Sequence, residues 1–374
     1  METVKEQNLI FAFIKKNAVM CIALLAALVT SVIVPPDNQY KGYFDFKTLT
    51  CLFCVLAVVC ALKNVDFFYI LAQKIVNKFK NLRAAVLALV YITFIGSMLI
   101  ANDMALLTFL PLGYFVLSST KKEKYMAFTF IMQNIAANLG GMLTPFGNPQ
   151  NLFLYTRFNI ANGEFMKIMF LPFIISIAII TFCCIVFVKP EELVLTDEKT
   201  EIKPLRTSIY MLLFALSIAI VFRTIPYYVG LLIIPFVLIF MDREALCDVD
   251  YPLLLTFVFF FIFSGNMARI GAVSNFLSWL LQKNTLLMSV ISCQFISNVP
   301  SAILLSRFTA DYKDLLIGVN IGGVGTLIAS LASLITFREY IKHNPKKMFY
   351  YVGMFSAFNF GFLILLTAIM EISL

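Results

Sequence analysis

The stretch Leu143-Thr-Pro-Phe-Gly-Asn-Pro-Gln-Asn-Leu-Phe153 lies between two long apolar runs. It gathers two prolines, a glycine and three side-chain amides in eleven residues. Unpaired backbone groups cost several kcal/mol in hydrocarbon, so an interrupted membrane helix survives only where it is buried in protein or borders a cavity. A proline kink explains one proline and leaves the amides without a role. We therefore predict a helix break at a binding site, with Thr144, Asn148, Gln150 and Asn151 as neutral hydrogen-bonding groups.

The amino-acid composition indicates which class of protein this is. The chain has 374 residues, of which 61% are hydrophobic and 13% are charged, whereas soluble domains average about 25% charged residues. Apolar runs of spanning length recur from end to end, which predicts an all-α polytopic membrane protein in the plasma (inner) membrane. The net charge of +8 is explained by cytoplasmic lysines that set topology, so nucleic acid is not an expected partner.

Nine segments are predicted to cross the bilayer, and most of the 29 Lys and Arg residues then fall on the side of the N-terminus. That side is predicted to be the cytoplasm. The first apolar run ends in Pro35-Pro36 with no small-residue cleavage site, so it is predicted to be an uncleaved span. The predicted spans are 18–34, 48–62, 125–160, 164–188, 206–222, 227–241, 251–265, 314–337 and 348–370.

Two further apolar segments are predicted to enter and leave on one side as re-entrant hairpins. Segment 84–118 has basic residues on both flanks and turns at Ala101-Asn102-Asp103. Segment 285–308 turns at Ser297-Asn298-Val299-Pro300. Its arms of about a dozen residues make roughly 18 Å of helix, too short for a hydrocarbon core of about 30 Å. Segment 84–118 is long enough for two spans, and its likeness to 285–308 favours a hairpin.

The two halves of the chain repeat one order of elements. Asn138-Leu-Gly-Gly-Met-Leu-Thr144 parallels Asn320-Ile-Gly-Gly-Val-Gly-Thr326, and Ser330 and Ser333 then fall opposite Asn148 and Asn151. Each half also has an amphipathic stretch before its hairpin, fit for the membrane interface. We predict a first repeat over 1–189 with broken helix 125–160, a cytoplasmic linker and connecting helix over 190–226, and an inverted second repeat over 227–374 with broken helix 314–337. Inverted repeats with broken helices are typical of secondary transporters.

Four ordered segments resemble the signatures of the ion transporter superfamily. They are Asn102-Asp103-Met-Ala-Leu-Leu-Thr-Phe-Leu-Pro111, Thr144-Pro-Phe-Gly-Asn148-Pro-Gln-Asn151-Leu, Ser297-Asn298-Val-Pro300-Ser-Ala and Asn320-Ile-Gly-Gly323. Within the superfamily they resemble citrate-transporter-like and arsenite-permease-like anion permeases, relatives of the divalent anion/sodium symporters. The symporters carry Ser-Asn-Thr at both hairpin tips; here both asparagines match and the threonines do not. The Asn-Asp pair is closer to arsenite permeases, which adds a small inorganic oxyanion or metalloid to the candidate substrates.

The resemblance implies where the ligands bind. Substrate would lie between the two tips, and each tip with the facing break would bind a coupling cation. The expected substrate-binding residues are Asn102, Thr144, Asn148, Asn151, Ser297, Asn298 and Thr326. The expected coupling-ion residues are Asn102, Asp103, Gly147, Asn298, Gly323 and Ser330. The coupling ion would be Na⁺ or H⁺, with no other cofactor, and a homodimer is expected from the resemblance alone.

Asp103 leaves a second function open. A carboxylate at membrane depth is a functional-site hypothesis by default, and a cation/proton antiporter could use Asp103 as its exchanging group. The other interpretation of Asp103 is a cap of the hairpin's second arm. An enzyme or a non-transport membrane protein is disfavoured, because the single histidine, His343, is predicted in a basic loop and cannot serve a Ser-His site. Arg223, Arg269 and Arg307 lie near predicted outer span ends, where long side chains usually snorkel.

Overall fold

The computed structural model describes residues 17–193 and 204–373. Within these ranges the chain is α-helical and has no β-strand, and six helical segments are long and apolar enough to cross a membrane. The prediction of an all-α polytopic membrane protein is therefore confirmed. The start of the chain, on which the predicted orientation of the N-terminus depends, and linker residues 194–203 lie outside the described residues.

The first half contains two helices that are joined by a tight turn at Ala101 and one helical segment that is interrupted at residues 144–148. Short 3₁₀ turns over Asn38–Tyr43, Glu123–Tyr125 and Gly141–Leu143 join some of its helices. Residues 144–148 are non-helical and separate the helix that follows Tyr125 from the helix that begins at Pro149. The helices are α1 (Ala18–Ile33), α2 (Phe46–Asn64), α3 (Phe67–Val76), α4 (Leu82–Ile100), α5 (Asn102–Ser119), α6 (Met126–Gly140), α7 (Pro149–Arg157) and α8 (Asn162–Phe187).

The second half contains the corresponding elements with shorter hairpin arms. Residues 322–330 are non-helical and separate the helix that ends at Ile321 from the helix that begins at Leu331. A 3₁₀ turn covers Pro345–Lys347. The helices are α9 (Pro204–Val221), α10 (Tyr227–Met241), α11 (Arg243–Cys247), α12 (Tyr251–Arg269), α13 (Gly271–Lys283), α14 (Thr285–Ile296), α15 (Asn298–Leu305), α16 (Tyr312–Ile321), α17 (Leu331–His343) and α18 (Met348–Ser373). The prediction of His343 in a loop is wrong, because α17 continues to that residue and His343 bonds Glu339 one turn earlier.

Polar contacts between loops sort the helix ends into two groups. We call the first group the Glu191 end; it comprises residues 64–82, 119–126, 188–193, 242–250 and 343–348. Here Leu82 N donates to Glu191 O (2.8 Å), and Lys122 and Lys124 both pair with the Glu191 carboxylate. These ammonium groups, Lys122 foremost, lower the pKa of Glu191 to about 2. The carboxylate therefore stays charged, and its contacts persist, until the pH falls towards 2.

The second group, the Arg269 end, comprises residues 34–46, 157–164, 221–227, 269–284 and 305–312. Arg269 pairs with Asp37 (Nη2 to Oδ2, 2.7 Å), and Arg307 Nη2 donates to the Tyr43 carbonyl (3.0 Å). Further contacts at this end join Arg223 to Asn159, Tyr312 to Glu164, and Asn284 to Glu371 near the end of α18. The arginines thus make specific contacts here in addition to any snorkelling.

The two hairpins open at opposite ends of the molecule. Helices α4 and α5 begin and finish at the Glu191 end, whereas α14 and α15 begin and finish at the Arg269 end. The broken segments α6–α7 and α16–α17 each run from one end to the other. Every residue of α6 is buried, whereas α8 exposes a long apolar surface that includes Phe170 and Phe182. The broken segments therefore lie at the centre, with apolar helices outside them.

Candidate binding site at the two hairpin tips

Both hairpins turn in the same strained way. Ala101 and Ser297 end the first arms with φ of 65° and 75°, a region that residues with a Cβ rarely adopt. The next residue in each case is an asparagine that starts the second arm. Its side-chain oxygen accepts from the following backbone N–H: Asn102 from Asp103 (3.0 Å) and Asn298 from Val299 (2.8 Å).

Each tip is fastened to the break of its own half by equivalent bonds. Asn102 N donates to the Gly147 carbonyl (3.2 Å), and Asn298 N donates to the Ala329 carbonyl (2.9 Å). Thr144 Oγ1 donates to Met98 O (2.7 Å). Likewise, Thr326 Oγ1 donates to Gln294 O (3.1 Å). These two pairs of bonds are equivalent in the two halves of the chain.

Side-chain amides donate hydrogen bonds to the backbone carbonyls of the first break. Asn151 Nδ2 lies 3.2 to 3.4 Å from the carbonyls of Gly141, Met142 and Thr144. Asn148 Nδ2 donates to the carbonyl of Asn138 (3.1 Å). These carbonyls lost their helical partners where α6 ends. The side-chain amides of residues 143–153 therefore stabilise the helix break itself.

The second break is satisfied from its hairpin. Ser330 and Ser333 replace the two asparagines, and Gln294 on α14 supplies the amide. Gln294 Nε2 donates to the carbonyls of Gly322 (2.9 Å) and Val324 (3.2 Å), and its Oε1 accepts from Thr326 N (2.9 Å). In both halves, side-chain amides donate hydrogen bonds to the backbone carbonyls of the break, but the amides come from different elements.

Asn320 joins the two breaks across the centre of the molecule. Its Nδ2 donates to Asn151 Oδ1 (2.6 Å), and its Oδ1 accepts from Asn148 Nδ2 (3.2 Å) and Gln150 Nε2 (3.4 Å). All four side chains are buried. The two halves are therefore held together at the site by hydrogen bonds between neutral amides.

A second branch of amides reaches the first tip. Asn102 Nδ2 donates to Asn138 Oδ1 (3.2 Å), and Asn138 Nδ2 donates to the Asn134 carbonyl (3.1 Å). Asn134 Nδ2 in turn lies 3.3 Å from Ser333 Oγ and 3.4 Å from Asn359 Oδ1 on α18. Asn102 is thus the end of a buried chain of hydrogen bonds, and its orientation is fixed by that chain.

Two glycines allow this close packing. A Cβ on Gly147 would lie 2.3 Å from the Gly141 carbonyl oxygen, which is backbone and cannot move aside. A Cβ on Gly323 would lie 3.0 Å from Asn298 Nδ2 and 3.5 Å from Asn138 Oδ1. Gly323 therefore brings the second break against the asparagine of the second tip.

Both tips border one cavity of about 470 Å³. Helices α5, α7, α15 and α17 each begin at this cavity, so the positive ends of four helix dipoles converge on it. Apolar residues of α1 and α12, among them Met20 and Phe260, form the opposite wall. The polar and charged residues that line the cavity are Asn17, Asn102, Asp103, Gln150, Asp250, Thr256, Ser297, Asn298, Ser330 and Arg338.

Three buried oxygens near the site have no hydrogen-bond partner among the described residues: Asp103 Oδ1, Asn148 Oδ1 and Gln150 Oε1. Buried acceptors are rarely left unpaired in folded proteins. Asp103 and Gln150 belong to the cavity lining. These oxygens are acceptors that a cation or a proton could satisfy.

The structure divides the predicted site residues into two sets. Asn102, Asp103, Ser297, Asn298 and Ser330 line the cavity. The others lie behind it in the breaks, where they hold the tips: Thr144, Gly147, Asn148, Asn151, Gly323 and Thr326.

Sequence reasoning missed several residues of the site. Asn138 and Asn320 belong to the repeated motif, which was the available signal for them. Gln150 was noted among the polar groups and not assigned to the site. Asn134, Gln294 and Arg338 had no signal in the sequence, because their roles depend on contacts between distant segments.

Comparisons with known proteins agree with this architecture. The family described as Citrate transporter matches residues 8–313 of the chain. An uncharacterized transporter of Methanocaldococcus jannaschii is 34% identical over 297 residues, which are 79% of this chain and 81% of that protein. An inner membrane protein of Escherichia coli K12 is 27% identical over 329 residues, 85% of this chain and 86% of that protein. A silicon efflux transporter of Oryza sativa subsp. japonica is 30% identical over 158 residues, 41% of this chain and 30% of that protein.

Proposed function

Because the chain belongs to the citrate transporter family of membrane transporters, we propose that it is a secondary active transporter that moves a small anion across the membrane, driven by Na⁺ or H⁺. Asn102 and Asn298 would bind the anion between them. The protein would be located in the plasma (inner) membrane. The names of its relatives point to transport and not to an enzyme. One relative is described as an inner membrane protein, which supports the proposed location.

A single observation carries the choice of an anion: four helix N-termini and both asparagine tips meet at one cavity. Free N–H groups and positive dipole ends stabilise negative charge. In transporters with broken helices, this arrangement faces the anionic group of the substrate. Asn102 and Asn298 add side chains that can donate through nitrogen or accept through oxygen.

The coupling ion would bind beside each tip. At the first tip, Asn102, Asp103 and the carbonyl of Gly147 lie together, and Asp103 Oδ1 has no partner among the described residues. At the second tip, Asn298 lies against Gly323 and Ser330 follows the bonded carbonyl of Ala329. Backbone carbonyls at helix breaks, which keep a second lone pair, and side-chain oxygens suit Na⁺, and a carboxylate suits a proton.

Asp103 also supports the second candidate, a cation/proton antiporter on the same scaffold. Its carboxylate is part of the cavity wall, and the described residues offer Oδ1 no partner. In that function Asp103 would exchange a proton for a cation, and no anion would be needed.

Gradient-driven uptake into proteoliposomes tests the proposal. Radiolabelled citrate, succinate, sulfate, phosphate and arsenite are offered with an inward Na⁺ gradient, with an inward H⁺ gradient, or with neither. We expect at least one anion to accumulate under one gradient and to equilibrate without it. Protein-free liposomes are the control. Cation flux that dissipates a pH gradient with no anion uptake would favour the antiporter, and no flux of either kind would contradict both functions.

A further inference from the structure

Among the described residues, the cavity wall has a cation with no ion-pair or hydrogen-bond partner. Of the described residues that line the cavity, Arg338 is the one positive charge. It is exposed, and no described residue forms an ion pair or hydrogen bond with it. Arginines at the Arg269 end differ, because Arg223, Arg269 and Arg307 all bind neighbouring residues.

The position of Arg338 on α17 directs its side chain towards the two hairpin tips. Ser330, Leu331, Leu334 and Arg338 all line the cavity, and their spacing of one, three and four residues places them on one side of the helix. Arg338 is eight residues after Ser330, about 12 Å along the axis. Side chains on a helix lean towards its N-terminus, so the guanidinium leans from the Glu191 end towards the hairpin tips.

The other charged groups among the described residues that line the cavity are the carboxylates of Asp103, at the first tip, and Asp250, which begins α12 at the Glu191 end. A charged carboxylate at Asp103 repels an entering anion, and a guanidinium in the same cavity reduces that repulsion. A guanidinium is always charged and offers a planar pair of donors to a carboxylate or an inorganic oxyanion.

We propose that Arg338 is the anion-selecting residue of this cavity: it captures the oxyanion group of the substrate at the Glu191 end and passes it to the hairpin tips. The assignment rests on the proposed function, because it names the residue through which the transported anion enters. It predicts a substrate with at least one carboxylate or oxyanion group.

Modification of a single cysteine tests the selectivity of the cavity without any substrate. Leu334→Cys, one turn from Arg338, is introduced after the eight native cysteines are replaced. The detergent-solubilised protein is treated with an anionic (sulfonatoethyl) or a cationic (trimethylammonium-ethyl) methanethiosulfonate reagent. We expect Arg338→Gln to lower the ratio of anionic to cationic rates about tenfold, as charge in a narrow cleft focuses ions. Arg338→Lys should keep most of the ratio.

Lys342→Gln is the matched control, because Lys342 is on the same helix, pairs with Glu339 and does not line the cavity. Its ratio should stay within twofold of the parent. An unchanged ratio in Arg338→Gln, or an equal fall in Lys342→Gln, would overturn the assignment. Arg338→Met, which keeps the aliphatic stem, replaces Arg338→Gln if that variant fails to elute as a single peak.

Transport then separates this inference from the proposed function. With whichever of citrate, succinate, sulfate or phosphate the parent protein takes up, Arg338→Gln should raise KM about tenfold and leave kcat within twofold. An unchanged KM would contradict the role in capture. If the parent takes up none of these anions, the proposed function fails, and the labelling ratio still decides whether Arg338 selects anions in the cavity.

Discussion

Asn320 shows how much of this site depends on individual neutral amides. It bonds Asn148, Gln150 and Asn151 of the opposite half, and all four side chains are buried. We expect Asn320→Ala to cost about 1–3 kcal/mol for each buried group left without a partner. The protein in detergent should therefore unfold several degrees below the parent. Asn38→Ala, at an exposed loop residue, should unfold with the parent, and a matching temperature for Asn320→Ala would show that these bonds are dispensable.

Asp103 gives a prediction that tests its role in coupling. Asparagine at this position keeps the shape of aspartate and removes the titratable charge. If Asp103 couples transport to an ion, Asp103→Asn should retain exchange of internal for external anion and lose gradient-driven accumulation. Both activities are measured in proteoliposomes between pH 5.5 and 8.5, with Na⁺ present or replaced by a bulky organic cation. The prediction of Asp103 as a cap is wrong, because α5 begins at Asn102 with Ala101 as its N-cap and no side chain makes a capping bond there. Unaltered dependence on both ions would leave Asp103 only as a negative charge in the first turn of α5.

The sequence predicts which segments contain the site. It is less informative about the contacts that each side chain makes there. The special residues of 143–153 predicted the break, because few other functions use amides and prolines at membrane depth. Asn148 and Asn151 were predicted to bind substrate, yet their nitrogens bond backbone carbonyls at the first break, ten residues or fewer before them in the chain. Asn148 Nδ2 and Asn151 Oδ1 also bond Asn320, which is 172 and 169 residues away, and nothing local in the sequence identifies that partner.

Among the elements, the two hairpin turns have strained backbone conformations. Ala101 has φ of 65° and ψ of 152°, a conformation that is open to glycine and costly for alanine. We expect Ala101→Gly to stabilise the protein by about 1 kcal/mol. The same replacement at Ala105, which is within α5, should destabilise it by about 1 kcal/mol, since glycine is a poor helix former. Thermal unfolding of both variants checks the pair, and a loss of stability in Ala101→Gly would mean that the turn is not strained.

The lengths and breaks of elements followed from the sequence where a physical limit applied. Arms too short to cross a bilayer predicted the turn at Ser297, and α14 and α15 have 12 and 8 residues. The first hairpin has arms of 19 and 18 residues, and length alone could not distinguish it from two spans. Two spans joined by a turn would also have both outer ends near residues 188–193, and Leu82–Ile100 is long and apolar enough to cross a membrane. The hydrogen bond from Asn102 N to the Gly147 carbonyl places the turn beside the helix break, and the re-entrant hairpin stays a prediction. The extension of α17 to His343 was missed, because basic residues resemble a loop and are also favourable at a helix C-terminus.

On the scale of the whole molecule, the two polar ends predict the topology. If the Glu191 end faces the cytoplasm, a cysteine at Asn38 should react with a membrane-impermeant thiol reagent in intact cells. A cysteine at Lys346 should react only after the membrane is made permeable. Both residues are exposed, and both variants are made without the native cysteines because Cys247 is exposed as well. Reaction of both cysteines in intact cells would contradict the assignment of opposite faces.

The central claim is that the two hairpin tips form one transport site. Exchange of a labelled anion across proteoliposomes, measured for Asn102→Ala and Asn298→Ala beside Asn38→Ala, tests it most directly. Each tip side chain is expected to supply a hydrogen bond to a charged group worth about 1.5–3 kcal/mol, which corresponds to roughly a tenfold loss or more. We expect both tip variants to lose exchange to this extent with yield and elution profile unchanged, while Asn38→Ala matches the parent. Full exchange in either tip variant would contradict it.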